Sequence, residues 1–409
     1  MSHILYAWEL GRGYGHVAGV LPLVRKLRRD GHTVTLALRD LSRVDVLLSG
    51  DALPVLQAPV WFPETVGLPP AVNYAEILFV VGYLTAAGLE SLVRGWRALF
   101  ARVRPDLLIV DHAPTALVAS RGLTMARALF GSGFFSPPRV HPMPSIRPSL
   151  AVPPDRLLQS EQRAVDVINT VLDRLQAPPL RILADLFDVD EDFLCTFAEL
   201  DHYPDRPDAR YWGARFVATE GAPPEWPAGA GHKIFAYVEP VHRDFERVLQ
   251  HLREGPHRVL VHAPGTDDRI RRRYGAPSLE FAAAPLQMAR VTAECDLVVC
   301  HGGSGTVVAT LLAGRPLLLL PLHPDHSLTA RAVVELGAGV MVPEDEVGIS
   351  YRRLLTEALA PAYRERARAF ADRYADFDQD RQVERMTARC SELLGASIAP
   401  GRAPGANAP

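Results

Sequence analysis

Two short runs in this chain carry the residue types that hold charge or move protons. The first is Asp296-Leu-Val-Val-Cys-His-Gly-Gly-Ser-Gly-Thr306. Its apolar stretch reads as a buried strand, and three glycines separate that strand from a helix. Glycine lets the backbone approach a ligand closely and take conformations that other residues avoid. The following helix offers unpaired N–H groups and the positive end of its dipole. Ser304 and Thr306 add hydroxyls, and the whole set suits a diphosphate. The competing explanation is a tight strand-to-helix turn that needs glycine and binds nothing.

The second run is Gly11-Arg-Gly-Tyr-Gly-His16, also between a strand and a helix. Its spacing invites comparison with the dinucleotide fingerprint GxGxxG, and Asp40 ends the next strand as that fingerprint would have it. His16 stands where the third glycine belongs, so the fingerprint fails. His16 instead puts an imidazole at a helix start, where the potential is positive. Neutral imidazole is the form that takes a proton, and a base works better with a carboxylate to orient it. Asp111 follows the strand Leu107–Val110. Parallel strands put their carboxyl ends along one sheet edge, where His16 and Asp111 can meet. Local packing of His16 and a turn or capping role for Asp111 stand as the alternative. His112 is a second titrating group beside them.

Layered α/β structure must position these runs. Strand-like and helix-like stretches alternate in both halves of the chain, the signature of parallel α/β layers. In the first half, strands are expected at Ile4–Trp8, Thr33–Leu38 and Leu107–Val110, with weaker ones at Ala128–Phe130 and Phe193–Thr196. Ala75–Val103 reads as helix, and its first part, Ala75–Gly88, is unusually apolar. Core packing is the default for that part; an acceptor channel or a membrane-facing patch is the minority reading. In the second half, strands are expected at Lys233–Val238, Arg258–His262, Leu279–Ala282, Asp296–Cys300, Leu317–Pro321 and Gly339–Val342. Tyr203–His232, rich in Pro, Gly and polar residues, reads as an interdomain linker. The Arg269–Arg273 run reads as a solvated loop.

Composition bounds the function. The 409 residues suggest two or three domains. With 48% hydrophobic and 22% charged residues, the balance is that of a soluble globular protein. A net charge of −3 gives no electrostatic reason to bind nucleic acid. The four cysteines form no CxxC pair and no histidines fall at zinc spacing, so reduced thiols, no metal and a cytoplasmic setting are expected. Met1–Leu10 lacks the features of a signal peptide, and no apolar run reaches bilayer length.

The block around the first run continues as Leu311-Leu-Ala-Gly-Arg-Pro, then His323-Pro-Asp-His-Ser-Leu-Thr-Ala330, then Leu336-Gly-Ala-Gly339. From Asp296 to Val340 it resembles the donor-binding motif of nucleotide-sugar-dependent glycosyltransferases with the GT-B fold, the UDP-glycosyltransferase-like superfamily. The resemblance implies an α/β chain of two Rossmann-like domains facing across a cleft. An acceptor domain would span 1–215, a linker 216–230 and a donor domain 231–378. A helix at 379–394 would return to the first domain; the tail 395–409, mostly Gly, Ala and Pro, is expected to be disordered from its composition.

By the same resemblance, His301, Gly303, Ser304, Gly305 and Thr306 contact the diphosphate, and Asp325 and His326 face the sugar hydroxyls. Leu286 and Gln287 fall at the base-binding loop. The Gly15-His16 pair resembles the start of the acceptor domain, where the histidine is the general base and Asp111 its partner. Gly131–Pro138, with Phe134 and Phe135, would lie on the acceptor side. The implied reaction is sugar transfer, with inversion, from a UDP- or dTDP-linked donor to a hydroxyl of a small-molecule or lipid acceptor. No cofactor is required, and peripheral membrane contact is compatible. Two departures stand out: Ala309 replaces the usual ribose-binding Glu, and Asp325-His326 replaces Asp-Gln. They keep open a non-catalytic nucleotide-sugar-binding protein or activator. Epimerisation of a sugar nucleotide on the same fold is a further alternative.

Overall fold

A computed structural model of the chain describes residues 1–11, 13, 15–42, 44–217, 221–343 and 348–398. Arg12 and Tyr14 of the glycine-rich run, part of the expected linker, and residues 399–409 of the expected tail lie outside them.

The chain divides into two compact units. The first holds a six-stranded sheet: β1 (His3–Trp8), β2 (Thr33–Leu38), β3 (Val55–Gln57), β4 (Leu107–Asp111), β5 (Ala126–Gly131) and β6 (Glu191–Leu194). Its order is β3-β2-β1-β4-β5-β6, and every neighbouring pair is parallel. The second holds β7 (Lys233–Tyr237), β8 (Arg258–His262), β9 (Leu279–Phe281), β10 (Leu297–Cys300), β11 (Leu317–Leu319) and β12 (Gly339–Met341). Its order is β12-β11-β10-β7-β8-β9, again parallel throughout.

Both faces of the first sheet are covered, which is why β1 and β4 read as continuous apolar runs. Leu5, Ala7, Leu108 and Val110 point into a core with Trp96, Phe100, Ala164 and Ile168 of helices Ala86–Val103 and Pro154–Arg174. Ile4, Tyr6, Trp8 and Ile109 point the other way, against Val17, Val20 and Val24 of helix Gly15–Arg29. Met386, Cys390 and Leu393 of the last helix, Gln379–Ile398, join that second core. The Gln382 side chain fixes the start of this helix by donating to the Trp212 carbonyl at 2.8 Å.

The chain passes between the units more than once. The first contains Met1–Thr196, Asp205–Gly213 and the residues from Asp378 on; the second contains Phe197–Pro204 and Ala214–Phe377. These limits differ from the expected 1–215 and 231–378, because Phe197 and Leu200 pack in the core of the second unit. The last helix also runs four residues beyond the expected 394.

Other local differences have physical causes. Ala75–Val103 is not one helix: the backbone leaves helical geometry at Val81 and Gly82 (φ +101°), and the arms Tyr74–Tyr83 and Ala86–Val103 bend by 80°. Leu78, Phe79 and Tyr83 are buried, so the core claims most of this apolar stretch. No single helix among the described residues is long and apolar enough to cross a membrane. The expected loop at Arg269–Arg273 is helix Asp268–Tyr274, started by Asp267, whose carboxylate accepts the Ile270 N–H. Helix Pro154–Arg174 was not among the sequence expectations, although Ala164, Val165, Ile168, Val171 and Leu172 are spaced for one buried face. All four cysteines are buried thiols.

The break at Gly82 sets up a buried polar chain. Tyr83 Oη lies 3.0 Å from Thr115 Oγ1. Thr115 donates its N–H to Glu9 Oε2 at 3.0 Å and its hydroxyl to Glu9 Oε1. Glu9 is 1% exposed, and burial pushes its carboxyl up to about 7 against the lowering effect of Thr115. A carboxyl whose folded pKa exceeds its unfolded value binds extra protons when folded, so stability falls as pH rises through that interval. Glu9→Gln removes the charge and keeps an acceptor. It should raise unfolding free energy by roughly 1–3 kcal/mol near pH 8 and by nothing near pH 4.5. Denaturant unfolding at the two pH values checks this, and an equal effect at both refutes it.

Candidate functional site

In each sheet the strand order reverses at one place, between β1 and β4 in the first unit and between β7 and β10 in the second. Ligands of open α/β sheets bind outside the strand ends at such switch points. The two sequence runs lie at these two places.

In the first unit, register decides which side chains meet. Trp8 pairs with Asp111 across β1 and β4. Side chains alternate along a strand, so Tyr6, Trp8, Ile109 and Asp111 share the face on which helix Gly15–Arg29 packs. His16 is the second residue of that helix. Its Nδ1 lies 2.8 Å from Asp111 Oδ1, with side-chain exposures of 8% and 3%. Tyr6 Oη donates to the other carboxylate oxygen, Oδ2, at 2.8 Å. Trp8 stacks on the imidazole with centroids 5.2 Å apart, and Phe135 packs on it at 4.8 Å.

Asp111 can only accept, so Nδ1 carries the proton and Nε2 keeps its lone pair. Gly11, at φ +88°, passes close to that nitrogen: a Cβ there would stand 2.7 Å from Nε2. His112 is a different kind of group. It sits in the left-handed region (φ +45°), is buried, and stacks on Phe135 at 4.6 Å. Neither ring nitrogen has a hydrogen-bond partner among the described residues. Burial, then the neighbouring His16, pushes its pKa well below the usual histidine range. Among the described residues it has no carboxylate to orient it, which ranks it below His16 as a base. Asp40 accepts the Ser42 N–H in a local turn.

In the second unit, β10 runs into Gly303, the residue before helix Ser304–Leu312. The N–H groups of Ser304, Gly305 and Thr306 make no hydrogen bond among the described residues. They are the unpaired donors of a helix start, beside two hydroxyls. Gly302, at φ +96°, touches the next helix: a Cβ there would stand 2.8 Å from the His326 carbonyl oxygen. That approach brings the start of helix Pro324–Glu335, with Asp325 and His326, beside the start of helix Ser304–Leu312. Asp325 is about a third exposed at 32%, and His326 is more covered at 19%. Burial lowers the His326 pKa, with Asp325 opposing. Its Nδ1 is buried without a partner among the described residues.

His301 departs from the sequence expectation. Its Nδ1 lies 2.7 Å from the Leu320 carbonyl, and its Nε2 accepts the Glu239 N–H at 2.7 Å. Burial lowers its pKa to about 4, so the ring is neutral at ordinary pH. Both nitrogens are engaged, which leaves no ring N–H for a diphosphate. The residue instead ties the chain after β10 to the chain after β7 and after β11, and His242 stacks on it at 5.5 Å.

At the expected base loop, Ala222 donates to Pro285 O and accepts from Gln287 N–H, both at 2.9 Å. Those bonds lie on either side of Leu286, the bridge partner of Ala222. The alternation of a strand therefore aims the Leu286 N–H and C=O away from Ala222. Ala309 is apolar and buried, and the Thr310 hydroxyl donates to Thr306 O at 2.7 Å. Among the described residues, no group of three or more His, Cys, Asp or Glu side chains is placed to hold a metal ion.

The residues missed from sequence are Tyr6, Trp8 and the clip role of His301. Period-two spacing from Ile4 marks Tyr6 and Trp8 as sharing a face; that this face is the one carrying Asp111 needs the register. Gly302→Ala should lower affinity for a nucleoside diphosphate at least about tenfold, through its positive φ and the clash with His326 O. Calorimetry with UDP and dTDP measures this, and unchanged affinity would remove the cradle assignment.

Residues 276–383 match the family model described as erythromycin biosynthesis protein CIII-like, C-terminal domain. The elloramycin glycosyltransferase of Streptomyces olivaceus is 42% identical over 86 residues, 21% of this chain and 21% of that protein. The NDP-glycosyltransferase YjiC of Bacillus subtilis is 36% identical over 70 residues, 17% of this chain and 18% of that protein. The aligned stretches thus span about a fifth of those relatives' lengths. In fold, the calicheamicin glycosyltransferase CalG4 superposes with a TM-score of 0.69 at 19% identity, covering 98% of this chain and 99% of that one. The spinosyn rhamnosyltransferase SpnG gives 0.67 at 17% identity, covering 97% and 100%. The fold is thus the two-domain GT-B fold of these glycosyltransferase structures, and residues 276–383 are similar to the C-terminal domain of the erythromycin biosynthesis protein CIII-like family.

Proposed function

We propose that this chain is a glycosyltransferase that moves a sugar from a nucleoside-diphosphate sugar to an acceptor hydroxyl with inversion. The observation that carries the reading is the 2.8 Å contact between His16 Nδ1 and Asp111 Oδ1. It leaves Nε2 as a free lone pair at the sheet's switch point. His16 Nε2 takes the proton from the acceptor hydroxyl, and Asp111 stabilises the imidazolium that forms. The acceptor oxygen bonds to the anomeric carbon from the face opposite the diphosphate. The bond from that carbon to the diphosphate oxygen breaks, and its electron pair leaves on the nucleoside diphosphate.

The departing charge meets the N–H groups of Ser304, Gly305 and Thr306 and the positive helix end. Gly303 lets the backbone approach, and Asp325 and His326 receive the sugar hydroxyls. The Leu286 N–H and C=O, next to Gln287, meet the edge of the base. The reading uses positioning and fixed dipoles and calls for no metal or organic cofactor.

One neighbour in fold, the same SpnG, is described as complexed with thymidine diphosphate and, separately, with spinosyn aglycone. These support a dTDP- or UDP-linked donor and a small-molecule acceptor here. A lipid acceptor gains no support from Ala75–Gly88, since the core holds Leu78, Phe79 and Tyr83.

His16→Ala should lower kcat by about 10²–10⁴-fold while affinity for UDP or dTDP stays within about twofold, because that site lies in the other unit. Turnover equal to wild type sinks the base assignment. The second reading, a nucleotide-sugar-binding protein without transfer, is motivated by Ala309. It would be favoured by donor binding with no turnover across a broad acceptor panel and no donor hydrolysis.

A further inference from the structure

We infer that Tyr6 is a positioning residue for the His16–Asp111 pair, holding the carboxylate that orients the base. The inference rests on the proposed role of His16 and deepens it. Asp111 is almost wholly buried, and each of its oxygens has one side-chain donor: His16 Nδ1 on Oδ1 and Tyr6 Oη on Oδ2, both at 2.8 Å. Tyr6 has no exposed surface. Burial and the adjacent Asp111 push its pKa well above the usual tyrosine value, so it remains a donor throughout the working range.

The placement follows from the sheet. Tyr6 and Asp111 lie on adjacent parallel strands and share a face, with Tyr6 opposite Ile109 and Trp8 opposite Asp111. Tyr6 therefore reaches along that face toward the strand ends, where its hydroxyl lies 2.8 Å from Asp111 Oδ2 and, less closely, 3.1 Å from the His16 carbonyl oxygen. On the opposite flank, Gly131 leaves the carboxylate room: a Cβ there would stand 3.3 Å from Oδ1. The carboxylate plane is thus fixed at both oxygens. Without the phenol, Oδ2 is a buried acceptor with no side-chain donor among the described residues, and the carboxylate keeps its bond to Nδ1 but loses its second anchor.

The phenol also tunes charge. Its hydrogen bond draws negative charge from Asp111 and weakens the stabilisation of the imidazolium. Removing it makes the carboxylate a stronger partner for the protonated ring, so the base stays protonated to higher pH.

The test uses the full-length enzyme with two changes at position 6, Tyr6→Phe and replacement by 3,5-difluorotyrosine, a stronger hydrogen-bond donor. Tyr6→Phe should lower kcat about tenfold with donor KM unchanged. It should also move the acid limb of the kcat/KM–pH profile up by about half to one unit. Difluorotyrosine should move that limb down. If Tyr6→Phe fails to fold, the difluorotyrosine enzyme still decides. Limbs that stay at the wild-type position in every folded variant, with His16→Ala inactive, overturn the role of Tyr6 alone. A His16→Ala enzyme that keeps wild-type turnover overturns the base reading, and this inference with it.

Discussion

The parallel pairing of β1 with β4, with Trp8 opposite Asp111, is the constraint on which the first unit's site depends. It ends two buried strands at the same level and directs Tyr6, Trp8 and Asp111 to one face. Helix Gly15–Arg29 must bury Val17, Val20 and Val24 against that face, and this carries His16 to the carboxylate. A one-residue slip would turn Asp111 to the opposite face, away from the helix that bears His16. The catalytic geometry proposed here is therefore a by-product of burying an apolar helix stripe on a parallel sheet.

The second unit reaches an equivalent arrangement by a different device. Here one histidine joins three strand ends. His301 is buried and neutral, donating to Leu320 O and accepting from Glu239 N–H. Backbone groups beyond strand ends are hard to satisfy when buried, and the imidazole satisfies two of them at once. With the strand ends held, Gly302 presses against His326 O and two helix starts come together. Unpaired N–H groups concentrated in this way favour an anion more than either start would alone.

The first unit places local strain beside its site. His112 holds a left-handed backbone directly after Asp111, and its buried ring nitrogens lack partners among the described residues. Glu9 is a buried carboxyl that accepts from the Thr115 N–H and hydroxyl. Each costs on the order of 1–3 kcal/mol, and the covered apolar faces around them supply the offset. Sites at switch points commonly carry such costs, because the groups that do chemistry there cannot also be ideal core residues.

The sequence by itself determined the layered α/β class, most strand positions and the two glycine-rich turns. Hydrophobic period and glycine punctuation are local properties of the chain, so they are visible without a fold. It also singled out His16 and Asp111, since a strand end and a helix start can each be read one at a time. Only the tertiary structure decided what depends on register and on contact between distant segments. Examples are the third partner Tyr6, the use of both His301 nitrogens by the backbone, and the break at Gly82. The division of the chain between the units, where Phe197–Pro204 joins the second and the last helix the first, is of the same kind. Hydrogen-bond capacity is a property of a residue type, but which groups use it up is a property of the fold.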